Sequence, residues 1–182
     1  MYTKVIIMAE YEVSIPQGVT VNINKNQVVV AGKLGELKRE FKLDKIKTEQ
    51  KDSKLLIKTD KPKTKEKAYL GSITAHIKNM IKGVEKGHKY KLKVVYKHFP
   101  INLELKGNEL LIKNFAGEKK PRKSKILEDV KVKISGDKIE VDGKDIEKVG
   151  QTAANIEKAS RIKKKDIRVF QDGIFITSKG EE

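Results

Sequence analysis

The chain repeats itself. Val19 to Glu36 reads VTVNINKNQVVVAGKLGE, and Ile101 to Glu118 reads INLELKGNELLIKNFAGE, aligned without a gap at an offset of 82 residues. Val19, Val21 and Ile23 fall on Ile101, Leu103 and Leu105; Val28 and Val30 fall on Leu110 and Ile112. Asn26, Gly35 and Glu36 recur as Asn108, Gly117 and Glu118. Apolar residues alternating on both sides of a short polar turn predict a hairpin in each copy. A second block follows in the same order: Leu70-Gly71-Ser72-Ile73-Thr74-Ala75-His76-Ile77 matches Val149-Gly150-Gln151-Thr152-Ala153-Ala154-Asn155-Ile156, at an offset of 79. Two matched blocks in one order at nearly one offset point to a duplication.

The helical spacing of Ala68, Ile73, Ile77, Met80 and Ile81, and of Ile146, Val149, Ala153, Ile156 and Ala159, gives each copy one amphipathic helix. Small Gly and Ala on the inner faces would let these helices approach a sheet closely. The first copy places strands near Val19–Ile23, Gln27–Lys33, Leu37–Phe41 and Leu55–Ile57, with its helix from near Lys65. The second places them at Ile101–Lys106, Leu110–Phe115, Val130–Ile134 and Lys138–Val141, with a hairpin turn at Ser135-Gly136-Asp137. Its helix runs from about Asp145 to Arg161, and a short strand, Ile174–Thr177, follows the turn Asp172-Gly173. The expectation is an α+β chain: two tandem copies, 1–87 and 88–182, of a small antiparallel sheet covered on one face by a single helix. Copies of about 80 residues lie near the lower limit for an independent core, so each is expected to brace the other.

Lys and Arg number 41 against 25 Asp and Glu, a formal charge of +16. That balance points to a polyanion: nucleic acid first, an anionic membrane second. The helix at 145–161 argues against a membrane, because Lys148, Lys158 and Arg161 are offset by Asp145, Glu147 and Glu157. Only 4 of the 41 cations are Arg, which favours phosphate contacts over base reading. Each half carries a net +8, so total charge does not locate a site, but acid-free runs do.

The run Lys86 to Lys97 reads as a strand with Tyr90, Leu92, Val94 and Tyr96 on one face and Lys89, Lys91, Lys93 and Lys97 on the other, able to link two sheets. Lys97-His98-Phe99-Pro100 reads as a fixed loop whose Phe99 could stack on a nucleotide. Lys119, Lys120, Arg122, Lys123 and Lys125 form a basic loop stiffened by Pro121, where the first copy has the strand-like Leu37–Leu43. Lys163, Lys164, Lys165 and Arg168 follow the second helix. The segment Lys61–Lys67 is a weaker, connector-like candidate. These expectations name Lys97, His98, Phe99, Lys119, Lys120, Arg122, Lys123, Lys125, Lys163, Lys164, Lys165 and Arg168 as the RNA-binding residues.

No catalytic constellation emerges. The chain has no cysteine, and His76, His88 and His98 lack metal-ligand spacing. There is no phosphate-loop, nucleophile-elbow or calcium-loop pattern. No apolar run approaches the length that spans a bilayer. Met8-Ala9-Glu10 offers an alternative start to Met1.

The duplicated halves, Gly83-Val84-Glu85-Lys86-Gly87 and Val95-Tyr96-Lys97-His98-Phe99-Pro100-Ile101 resemble the large-subunit ribosomal protein L-six (L6) family. So do Asn114-Phe115-Ala116-Gly117-Glu118-Lys119 and the tail Lys165 to Phe175. The His-Phe-Pro run and the tail are similar to the archaeal and eukaryotic branch. Phe175 and Lys158 depart from the Tyr and Gln usual there. The resemblance implies a non-catalytic, cofactor-free constituent of the cytoplasmic large ribosomal subunit. It implies that the second half binds 23S-type rRNA near the sarcin–ricin loop and the base of the factor-binding stalk, beside other ribosomal proteins and docking elongation-factor GTPases. The first half would lie nearer the surface, with no small-molecule substrate and no membrane partner. A free-standing basic nucleic-acid-binding module is the alternative.

Overall fold

In a computed structural model the chain divides into two compact units, Met1–Lys86 and Gly87–Glu182. The structure describes residues 9–24, 26–42, 46–51, 54–59, 64–163, 166 and 168–180. The choice between Met1 and Met8 as the start lies outside them.

The first unit runs β1 (Ala9–Ser14), β2 (Thr20–Asn24), β3 (Gln27–Gly32), β4 (Gly35–Glu40), β5 (Ile46–Lys51), β6 (Lys54–Thr59) and α1 (Thr64–Glu85). Its strands form two antiparallel sheets, β2-β3-β4 and β1-β6-β5. Helix α1 packs on both, through Leu70, Ile73, Ile77 and Val84, each at most 1% exposed. Burying such side chains contributes roughly 1.5–3 kcal/mol apiece. Ala68, placed on this face by its spacing, is exposed instead, and Leu70 takes its role. The segment 64–67 is the first turn of α1 rather than a connector; 61–63 lie outside the described residues.

The second unit runs β7 (His88–Val95), β8 (Asn102–Lys106), β9 (Glu109–Lys113), a 3-10 turn (Phe115–Gly117), β10 (Arg122–Lys125), β11 (Val130–Ser135), β12 (Lys138–Gly143), α2 (Ile146–Ala159) and β13 (Gly173–Lys179). Here too there are two antiparallel sheets, β10-β9-β8 and β11-β12-β7-β13. The α+β class holds. The single sheet expected per copy resolves into two, with one helix against both. Asp145 caps α2 by accepting the Glu147 backbone N–H at 2.9 Å. Strand β7 belongs to one sheet, between β12 and β13, so it does not join two. Its alternation is as expected through Val94; Tyr96, beyond the strand, is 43% exposed.

The duplication is visible in three dimensions. A Cβ on Gly71 of α1 would meet the Tyr11 hydroxyl of β1 at 3.8 Å, and one on Gly150 of α2 would meet the Tyr90 hydroxyl of β7 at 3.6 Å. Both are ordinary contacts, so the helix glycines are not what close packing demands. The tight approaches are at glycines of the sheets. A Cβ on Gly32 would lie 2.8 Å from Val84 Cγ2 and 3.0 Å from the Val84 carbonyl oxygen; one on Gly143 would lie 2.7 Å from Val149 Cγ2.

The copies differ in two places. Strand β13 has no counterpart among the described residues of the first unit, where β1 is an edge strand. The connection into β10 is also longer. Leu37 pairs with Val30 and Arg122 with Ile112, so nine residues separate the second pair where six separate the first. Beyond Ile112, therefore, the ungapped alignment no longer follows the structure.

Gly32→Ala is expected to destabilise the protein by about 2 kcal/mol, because a backbone oxygen cannot move aside. Gly150→Ala is expected to be neutral or stabilising by up to about 1 kcal/mol through helix propensity. Urea unfolding midpoints check both; equal effects would reject the assignment of the tight contacts.

Candidate nucleic-acid interface

The basic segment at 119–125 is not a projecting loop: its second half is β10, the edge strand of its sheet, paired with β9 from Arg122↔Ile112 to Lys125↔Glu109. Ser124 points inward, 3% exposed, and Lys123 and Lys125 point out. Opposite them runs the end of α2, and the two bound a cleft of about 630 Å³. Arg122, Lys123, Ser124, Lys125, Asn155, Lys158, Ala159, Arg161 and Lys163 line it. Six of these nine residues are cationic and none is acidic, so the cleft is complementary to a phosphate backbone.

The cleft depends on Arg122. Its guanidinium holds Glu118 bidentately, Nε to Oε2 at 2.8 Å and Nη2 to Oε1 at 2.5 Å. Nη1 donates to the carbonyls of Ala159 at 3.0 Å and Arg161 at 2.9 Å. The same group sits 4.2 Å over the Phe115 ring centroid. Arg122 thus caps the carbonyl end of α2 from another element and neutralises the negative pole there. Expected as a phosphate contact, it is engaged with the protein itself. A second tie is Asn155 Nδ2, which donates to the Lys125 carbonyl at 3.2 Å.

Lys123 is 64% exposed at its side chain, with Glu109 at 3.2 Å. Lys125, Lys158, Arg161 and Lys163 are exposed along the cleft. Lys158 and Arg161 were not expected there, since their helix is balanced by acids; only the tertiary fold separates its basic end from Asp145 and Glu147. Lys119 and Lys120 are exposed before β10 but do not line the cleft. Arg168 is 87% exposed and pairs with Asp166 at 3.0 Å; its hydrogen bonds hold the Asp166 carboxyl below the usual range. Lys164 and Lys165 lie outside the described residues.

Lys97, His98 and Phe99 form a separate cluster. Asp172, 4% exposed, accepts the Lys97 backbone N–H and lies 3.1 Å from His98 Nδ1. The His98 ring packs against Phe170, centroids 5.2 Å apart. Phe99 is 46% exposed, with one edge against Gly117, where a Cβ would come within 3.4 Å of its ring. Asn114 Nδ2 donates to the Pro100 carbonyl at 3.1 Å. Burial would raise the Asp172 carboxyl, but hydrogen bonds from the Lys97 backbone and His98 outweigh it and leave its pKa below the ordinary value.

Arg122→Ala is expected to cost about 2–3 kcal/mol, and Arg122→Lys to recover little of it, since an ammonium cannot fork between Glu118 and the helix carbonyls. Urea unfolding of both variants checks this; full recovery by Lys would reject the clamp. Because Asp172 is depressed in the folded state, it stabilises the protein above its unfolded pKa, near 4. That contribution is lost as pH falls through the folded value. Asp172→Asn should therefore lower stability at pH 7 yet flatten its decline between about pH 5 and 2. Parallel pH curves for the two proteins would contradict it.

Two stretches, residues 15–87 and 99–173, match the profile of Ribosomal protein L6. The chain is 50% identical over 175 residues to the "Large ribosomal subunit protein uL6" of Staphylothermus marinus, covering 94% of this chain and 95% of that one. It is 47% identical over 169 residues to the protein of that name from Sulfurisphaera tokodaii, covering 92% and 91%. It is 45% identical over 168 residues to that from Methanococcus vannielii, covering 92% of each. The matched stretches fall one in each copy of the duplication, and the relatives span nearly the whole chain: the protein belongs to the ribosomal protein L6 family.

Proposed function

We propose that this protein is a structural, non-enzymatic constituent of the large ribosomal subunit, in the cytoplasm, and binds 23S-type rRNA chiefly through its second unit. The acid-free cleft between β10 and the end of α2 carries this reading. Lys123, Lys125, Lys158 and Lys163 neutralise successive phosphates, while Arg122 and Asn155 hold the walls together. Lys119, Lys120 and Arg168, with Lys164 and Lys165, extend the basic surface around it. Lys97 and Phe99 form a further contact, placed by Asp172 and His98. On this reading the surface lies near the sarcin–ricin loop and the stalk base, among other ribosomal proteins and beside the docking site of elongation-factor GTPases; the resemblance to the family supports it.

Counterion release makes such binding strongly salt-dependent. Replacing Lys123, Lys125 and Lys158 with Ala should flatten the salt slope for a large-subunit rRNA fragment by about 3, near one unit per lost contact. An unchanged slope would remove these lysines from the interface. Co-sedimentation of the tagged protein with large subunits through a high-salt gradient tests the wider assignment. A protein that binds RNA but stays at the top of the gradient is a free-standing module instead.

A further inference from the structure

The sheet β11-β12-β7-β13 has a second face, turned away from α2. The core side chains Leu92, Val94, Ile139, Val141 and Ile174 lie on the covered face, each at most 4% exposed. On the other face the cross-strand register sets up three rows. Lys131, Asp142 and Lys89 form one, and Lys133, Glu140 and Lys91 the next. Each acid there has lysines on both sides. The third row differs: Lys138 stands directly opposite Lys93, which stands directly opposite Phe175. Lys93 and Lys138 are exposed and have no acidic partner among the described residues.

Like charges directly opposite in a sheet are destabilising. The first unit has such pairs too, Lys47 opposite Lys58 and Lys51 opposite Lys54, but there Lys58 and Lys54 have acidic partners in Glu10 and Glu12. An opposed pair without an acid breaks a local rule, and broken rules of this kind collect at functional sites. The duplication supplies an internal control. Tyr11 and Tyr90 are equivalent by their contacts with the helix glycines, so Ser14 stands where Lys93 does and Lys54 where Lys138 does. In the first unit Lys54 also stands opposite Lys51, but its ammonium has an acid beside it, Glu12 at 2.5 Å. The second unit has an unbalanced pair of cations at the same place.

It also has an aromatic ring. Phe175, supplied by a strand with no counterpart among the first unit's described residues, is 45% exposed. A Cβ on Gly173 would lie 2.9 Å from Phe175 Cζ, so the ring leans across the outer surface of the sheet into space that only a glycine leaves open. By register the ring shares a row with the two lysines, directly opposite Lys93. Paired cations next to an exposed aromatic ring match a nucleotide whose base stacks and whose flanking phosphates are neutralised. An acidic peptide would use the lysines but has no use for the ring.

We propose that Lys93, Lys138 and Phe175 form a second RNA site, separate from the cleft, that binds unpaired nucleotides, with Phe175 stacking on a base and the two lysines holding adjacent phosphates. This rests on the reading of the chain as an rRNA-binding protein.

The chain contains no tryptophan, so Phe175→Trp places a single fluorophore at the site. In the full chain, titration with a twelve-residue oligouridylate should quench this Trp saturably. Adding Lys93→Gln and Lys138→Gln should weaken the quench about tenfold or more and flatten its salt slope by about 1.4, near 0.7 per lysine on single strands. Replacing Lys123, Lys125 and Lys158 with Ala should leave the quench in place. Lys93→Gln alone should hold or raise Tm by relieving the repulsion; a fall would mark the pair as structural and overturn the proposal. Oligonucleotide binding seen by anisotropy without quenching overturns it, as does quenching by polyglutamate in place of RNA. Failure of the wild-type protein to co-sediment with large subunits is a different result, and counts against the ribosomal assignment alone.

Discussion

One guanidinium holds the second unit's working surface in place. A strand made of Arg122, Lys123, Ser124 and Lys125 has no apolar residue of its own to anchor it. It stays in the sheet because β9 pairs with it and because Arg122 spans from Glu118 to the last carbonyls of α2. Those carbonyls would otherwise be unsatisfied, and the pole they form would offset the positive charge of the cleft. Satisfying them with a cation makes the helix end compatible with a phosphate groove. Arg suits this position and Lys suits the rim: the first needs forked geometry, the second only a mobile charge.

The duplicated scaffold separates what the fold requires from what the interface requires. Both units keep two antiparallel sheets under one helix and a tyrosine over a helix glycine. Among the described residues the second unit adds a longer connection into β10 and the strand β13, and it carries the basic cleft. That connection passes through positive φ at Asn114, Ala116 and Gly117, two of them not glycine. Backbone strain of this kind persists where surrounding contacts over-determine it. Here the contacts are Phe99 on Gly117, Asn114 on the Pro100 carbonyl and Arg122 over Phe115.

The hairpins and both helices were legible because apolar periodicity is a local property of the chain. Strand β10 was not, for its stability comes from its neighbours rather than from its own side chains. Strand β5, Ile46-Lys47-Thr48-Glu49-Gln50-Lys51, carries a single aliphatic residue and gives no alternation to read. Strand β1 offers only Tyr11 and Val13 between charged residues. The charge runs pointed to the second unit, where the basic cleft lies, but did not separate Arg122, engaged with the protein itself, from the exposed lysines around it. Nothing in the sequence marks Arg122 as a clamp, because Glu118 and the α2 carbonyls reach it only through the fold. Lys158 was hidden for the converse reason: of the acids that balance it along the helix, Asp145 and Glu147 lie at the far end from the cleft, and Glu157 accepts the Ile176 backbone N–H.

Strand β13 has a consequence for how the two units form. It pairs with β7 although 77 residues separate Val95 from Gly173, whereas 39 separate Ser14 from Lys54 in the first unit's β1–β6 pairing, the counterpart of β7–β12. Chain closure becomes entropically costlier with length, and non-local pairings slow folding. On a chain made from its N-terminus, the first unit has all its strands long before the second has the strand that seals the outer edge of β7. Until then that edge, with its open hydrogen-bonding groups, is exposed to pairing with other chains. Charged side chains along an edge discourage such pairing, and Lys89 and Lys91, each facing an acid of β12, stand there without the uncompensated repulsion of Lys93 and Lys138.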